Sequence, residues 1–184
     1  MVSIFQLGQE KQTIADKIDN AYSECETIAR NASSSFFRSF RHLPNHKRRA
    51  VNSLYAFCRR VDDIVDGDWL PQVDLSHLDE SALERSLQMS VDRQQDLESS
   101  PEHISKVKAL LYYRLCLDSI EQGKAQSDPI FVALADVYKK FPIELDNLRE
   151  LITGMEDDLF ATNYERFEQL RQYCYRVAST VGLC

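Results

Sequence analysis

Asp62 and Asp66 are the residues of this chain best placed for chemistry. They stand four apart in the run Tyr55-Ala56-Phe57-Cys58-Arg59-Arg60-Val61-Asp62-Asp63-Ile64-Val65-Asp66. Around them Leu54, Phe57, Cys58, Val61, Ile64 and Val65 recur at helical spacing. On a helix, carboxylates four apart lie one above the other. They repel unless a cation sits between them. Hard oxygens suit Mg²⁺, which uses one or two carboxylates and completes its shell with water and phosphate oxygens. Arg59, one turn before Asp62, could hold the same phosphate by charge-assisted hydrogen bonds. A solvated acidic face, or ion pairs among Arg59, Arg60 and the aspartates, accounts for the same pattern without any ligand.

Two smaller groups could assist. Asn31-Ala32-Ser33-Ser34-Ser35 is a polar break whose hydroxyls and backbone N–H groups could meet an anion at the start of a helix. A plain serine cap, worth about 1 kcal/mol, explains it as well. Gly154-Met155-Glu156-Asp157-Asp158 holds a second acidic pair, without the four-residue spacing. A structural or solvent-facing role is the simpler account of it.

The elements that must position these residues read as helices. Ile14, Ile18, Tyr22, Cys25 and Ile28/Ala29 form one apolar stripe over about residues 10 to 30. Pro44 can open the acid-bearing helix, which runs to Asp66 and stops at Gly67. Residues 67 to 79 read as a loop, and Leu83, Leu87, Val91 and Leu97 suggest a polar helix. Ser99-Ser100-Pro101-Glu102 starts the next, which ends at Gly123. Further helices run from Asp128-Pro129 to Phe141, from Ile143 to Phe160, and from about Glu165 to the end. No strand alternation, repeat or linker is visible, so the expected fold class is all-α, in one domain over residues 1–184.

Composition narrows the function. A chain of 184 residues with 43% hydrophobic content can bury a core. Acidic residues outnumber basic ones 29 to 22, which argues against general nucleic-acid binding. The basic residues cluster in His46-Lys47-Arg48-Arg49 and Arg59-Arg60. The five cysteines form no CxxC pair and no zinc spacing, so free thiols in a reducing, cytoplasmic setting are expected. The first residues lack the basic start and apolar run of a secretory signal. No stretch approaches the roughly 20 apolar residues of a membrane span. The four histidines fall in no ligand spacing.

Three stretches, in order, resemble the squalene/phytoene synthase family. They are Ser33-Ser34-Ser35-Phe36-Phe37 with Leu43-Pro44, the run from Tyr55 to Asp66, and Tyr173-Cys174-Tyr175-Arg176-Val177-Ala178-Ser179-Thr180-Val181-Gly182-Leu183. The resemblance spans roughly residues 22 to 184. It implies an isoprenoid-synthase-type helical bundle and a prenyltransferase that joins two prenyl diphosphates head to head. Farnesyl or geranylgeranyl diphosphate would pass through a cyclopropyl intermediate to a C30 or C40 hydrocarbon such as squalene or phytoene, as in carotenoid biosynthesis. Asp62 and Asp66 would hold Mg²⁺, or Mn²⁺ in its place, with Asp63 as a supporting ligand or a residue behind the ligands. Arg59, Ser33 and Ser35 would grip the diphosphate. Tyr55 and Tyr173 would line the cavity, the latter steadying a carbocation or ordering a phosphate-bound water. Phe36, Ala178, Val181 and Gly182 would wall the prenyl tunnel, and Asp158 matches a cavity-facing position. Two departures stand out: Ala32 and Ser34 occupy places where the family often has His or Lys, and Ser179 stands where it usually has Gly.

The family's second aspartate-rich helix would follow the Val181-Gly182-Leu183 segment, where this sequence stops. The expectation is therefore the N-terminal part of such a domain, with weak Mg²⁺ or diphosphate binding, doubtful turnover alone, and self-association through exposed apolar faces. Peripheral membrane contact, product chain length and the use of NADPH stay open. Two alternatives also stay open. One is a non-catalytic relative serving as an assembly or binding module. The other is a chain-elongating prenyltransferase, which shares the aspartate motif but fits the flanking residues less well.

Overall fold

Long amphipathic runs free of internal Pro make helix the dominant element of this chain. The structure, a computed structural model, describes residues 4–32, 35–75, 78, 101–160, 164 and 166–183. The helices are α1 (Ile4–Ala32), α2 (Ser35–Phe40), α3 (Asn45–Asp66), α4 (Pro101–Glu121), α5 (Pro129–Lys140), α6 (Leu145–Phe160), α7 (Phe167–Cys174) and α8 (Thr180–Leu183). A π-helical segment, Tyr175–Ser179, joins the last two. No strand occurs among the described residues. None of their helices is long and apolar enough to cross a membrane. The helix expected over Leu83–Leu97 lies outside the described residues.

The chain divides into two compact units. One comprises Met1–Arg59 and Gln122–Ile143, the other Arg60–Glu121 and Glu144–Cys184. In the first, α1, the start of α3 and α5 share a core of Ala21, Tyr22, Cys25, Ala50, Phe57, Phe131 and Leu134. Phe57 and Phe131 meet edge to face at 6.1 Å. Burying each aromatic contributes about 1.5–3 kcal/mol. Polar contacts fix the register. The Tyr22 hydroxyl donates to Asp136 at 2.6 Å, Lys140 pairs with the same carboxylate, and the Arg49 guanidinium lies 4.0 Å over the Tyr22 ring while pairing with Asp19. Asp128 caps α5 by accepting from the Ile130 N–H at 2.9 Å, with Pro129 at the first helical position. Of the stripe expected on α1, Tyr22, Cys25 and Ala29 are buried, whereas Ile14 is exposed.

In the second unit, α4 and α6 pack through Val107, Leu110, Leu111, Tyr113, Leu117, Leu148, Leu151 and Ile152, all buried. Two arginines flank this seam. Arg114 donates to the Arg149 carbonyl, the Thr153 hydroxyl and Glu156. Arg149 reaches Asp118, Glu121 and Asp146. The helix expected from Glu165 onward is present, but the π segment interrupts it.

Candidate active site

The acid-bearing end of α3 is held in place by Gly67 and Arg60, both expected from the sequence, and by Trp69 and Lys106, which the sequence did not single out. Gly67 takes φ +84° just past the helix, a conformation costly for any residue with a Cβ. The chain folds back there so that the N–H groups of Asp68 and Trp69 donate to the Asp63 carbonyl at 2.9 and 3.2 Å. Lys106 of α4 donates to the Val65 carbonyl at 3.0 Å, placing an ammonium at the negative end of the helix. Asp63 is buried, and Arg60 donates to its carboxylate at 3.0 Å. The Arg60 guanidinium also lies 4.5 Å from the centre of the Trp69 ring.

This clamp decides what each aspartate can do. Asp63 faces inward to Arg60, a supporting position rather than an open ligand. Asp62 is half-buried and Asp66 exposed, one turn apart. Asp158 of α6 has its carboxyl pushed above the usual range by partial burial first, against the lowering hydrogen bond from Tyr173, and by the negative charge of Asp66. The hard oxygens of Asp62 and Asp66 are of the kind that suits Mg²⁺, although the described residues include no preformed group of three or more ligands.

Tyr173 of α7 is tied to the same place. Its hydroxyl donates to Asp158 at 2.8 Å, and the Tyr164 ring packs against its own at 5.1 Å, tilted by 32°. Burial and the bond to Asp158 push the phenol well above its ordinary pKa. The backbone carrying Tyr173 is pinned to α6. Arg176 in the π segment pairs with Glu150 and with buried Asp157, and its Cβ would lie only 2.6 Å from a Cβ on Gly154. Asp157, adjacent to Asp158, is thus structural.

The remaining candidates are placed less tellingly. Tyr55 is half-buried on α3, with its ring edge-on to Phe40 at 6.1 Å; Arg59 is half-buried one turn further along. Ser35 opens α2 and is exposed, and its carbonyl accepts from the Ser39 hydroxyl. Ser33, and the side chains of Phe36 and Val181, lie outside the described residues. Ala178, Ser179 and Gly182 are exposed, and nothing described lies within 4 Å of a Cβ built on Gly182. The tight small-residue contact is at Gly154 instead. The structure ties Tyr173 to Asp158 by a hydrogen bond, sets Asp66 near enough to Asp158 for its charge to act on it, and turns Asp63 to Arg60. It bears out an ion pair between Arg60 and an aspartate, Asp63, and adds Trp69, Lys106 and Tyr164 as supports that only contacts beyond α3 could have revealed.

Residues 29–184 match the squalene/phytoene synthase family model. The chain is 32% identical over 169 residues to a phytoene synthase of Mycobacterium bovis, covering 91% of this chain and 44% of that protein. It is 31% identical over 166 residues to the 15-cis-phytoene synthase of Synechocystis, covering 90% of this chain and 40% of that protein. Among solved structures it resembles a dehydrosqualene synthase crystallised with a ligand, at 27% identity and a TM-score of 0.66, covering 92% of this chain and 47% of that one. The all-α architecture is shared with that enzyme. The chain spans less than half the length of these relatives.

Proposed function

Since the chain belongs to the squalene/phytoene synthase family, we propose that it provides the first aspartate cluster of a head-to-head prenyl diphosphate synthase. The substrate is farnesyl or geranylgeranyl diphosphate, and the products are diphosphate and a C30 or C40 hydrocarbon. The observation that carries the proposal is the fixed end of α3, which carries Asp62 and Asp66 one turn apart, with Asp66 near the Asp158 carboxyl that Tyr173 bonds.

Asp62 and Asp66 would hold Mg²⁺, which when bound polarises the leaving diphosphate and cancels charge as the C–O bond ionises. Asp63 keeps the helix end in register through Arg60 and Trp69, so the two outward carboxylates are preorganised. Arg59, Ser33 and Ser35 are proposed as diphosphate donors on the strength of the family motif. The half-buried Tyr173 ring offers a π face and a phenol oxygen to the carbocation that ionisation leaves behind.

The test is product analysis after incubation with Mg²⁺ and each prenyl diphosphate, with and without NADPH. Diphosphate release and a head-to-head hydrocarbon are expected. Asp62→Asn should lower the rate by several orders of magnitude with the helical signal intact. An elongated prenyl diphosphate as product would mark a chain-elongating enzyme. Retained turnover in Asp62→Asn would remove the assignment.

A further inference from the structure

Resting on that function, we propose that Asp158 is a positioning residue for Tyr173. By accepting the phenol's hydrogen bond, it turns the oxygen lone pairs of Tyr173, rather than its proton, toward the cationic carbon of the prenyl group. Tyr173 itself would touch the reacting carbon; Asp158 acts through it.

A phenol has one proton to donate and lone pairs with which to accept. Tyr173 gives that proton to Asp158 at 2.8 Å. It therefore has none left for a phosphate oxygen, while its lone pairs stay open to accept. A hydrogen bond to a carboxylate also polarises the O–H bond and makes its oxygen more negative, while the proton stays on the phenol. Among the duties open to this tyrosine, the geometry selects those that use its oxygen as an electron-pair donor, and steadying a cation is the one proposed.

The pairing is not a chance meeting of two loose side chains. Gly154 lets the backbone at Arg176 approach α6 closely, and Arg176 pairs with Asp157 at 2.9 Å and Glu150 at 3.0 Å. The helical turns bearing Asp158 and Tyr173 are thereby fixed to each other from one side. The Tyr164 ring limits the tilt of Tyr173 from another.

The test measures binding by calorimetry of the 184-residue chain in Mg²⁺. The probes are farnesyl thiodiphosphate and an ammonium analogue with nitrogen in place of the cationic carbon, the latter added with inorganic diphosphate. Asp158→Ala and Tyr173→Phe should each weaken the ammonium ligand about tenfold. The loss should be several-fold larger than for the thiodiphosphate, and the double variant should lose no more than either single one. Asp158→Asn, of the same shape, keeps the test usable if the alanine variant folds poorly. In ring-¹³C tyrosine spectra it should also move the resonance that Tyr173→Phe removes. Additive losses, equal losses on both ligands, or an unmoved resonance would each overturn the positioning role while leaving the proposed function standing. A parent chain that binds neither ligand removes both.

Discussion

Asp62 and Asp63 carry the same side chain, but a helix turns about 100° per residue, so they face different surroundings. Asp63 points inward, 6% exposed, and answers Arg60. Asp62 is half-buried one position earlier. Removing the charge at 63 leaves Arg60 without its anionic partner, with only an amide oxygen to bond, and loosens the turn that Trp69 closes. Asp63→Asn should therefore cost about 1–3 kcal/mol in urea unfolding, as expected for a hydrogen bond to a charged partner. Asp62→Asn should cost less stability than Asp63→Asn and instead abolish Mg²⁺-dependent diphosphate binding. The opposite pattern, with 62 structural and 63 needed for binding, would reverse their roles. The four-residue spacing of Asp62 and Asp66 was legible because it is local. Which of the adjacent aspartates turns inward was not, since Trp69 closes on Arg60 only after the chain reverses at Gly67.

At the level of elements, the decisive contact is between α6 and the π segment. A Cβ on Gly154 would meet the Arg176 Cβ at 2.6 Å and the Val177 Cγ1 at 2.9 Å, closer than real atoms pack. Gly154→Ala must push the π segment away from α6, and overpacking of this kind costs about 1–3 kcal/mol. Because Tyr173 lies just before that segment, the same substitution should shift its ring-¹³C resonance. Gly182→Ala meets nothing described and should do neither. An unchanged urea midpoint in Gly154→Ala would show that the segment has room to move. Residues 175–179 read as ordinary helix in the sequence because a π turn leaves no mark on apolar spacing; here it coincides with an outside contact. The short α2 went unseen for a related reason, as six residues are too few to show a periodicity. The helices now labelled α3, α4, α5 and α6 were legible to within a few residues, their ends marked by Pro44, Gly67, Pro101, Gly123, Pro129 and Pro142.

Taken whole, the molecule carries a formal net charge of −7 and is proposed to bind a ligand that is itself strongly negative. Like charge raises the work of bringing that ligand in, and the carboxylates at the end of α3 raise it most at close range. Arg60, the basic residue next to these carboxylates in the chain, is committed to Asp63. A divalent cation reverses the sign of the local field, so anion binding and Mg²⁺ binding should be one linked event. Inorganic diphosphate should show no measurable heat of binding in EDTA and clear binding once Mg²⁺ is present. At ligand concentrations about a hundredfold above Kd, the complex should gain roughly 2.7 kcal/mol. For a chain of this size that raises the unfolding midpoint by about 5–10 °C. Sodium chloride of matched ionic strength should not substitute, because screening weakens repulsion without supplying a ligand. Equal diphosphate binding in EDTA would mean that arginines and helix termini hold the anion alone, and Asp62 and Asp66 would return to being a solvated acidic face.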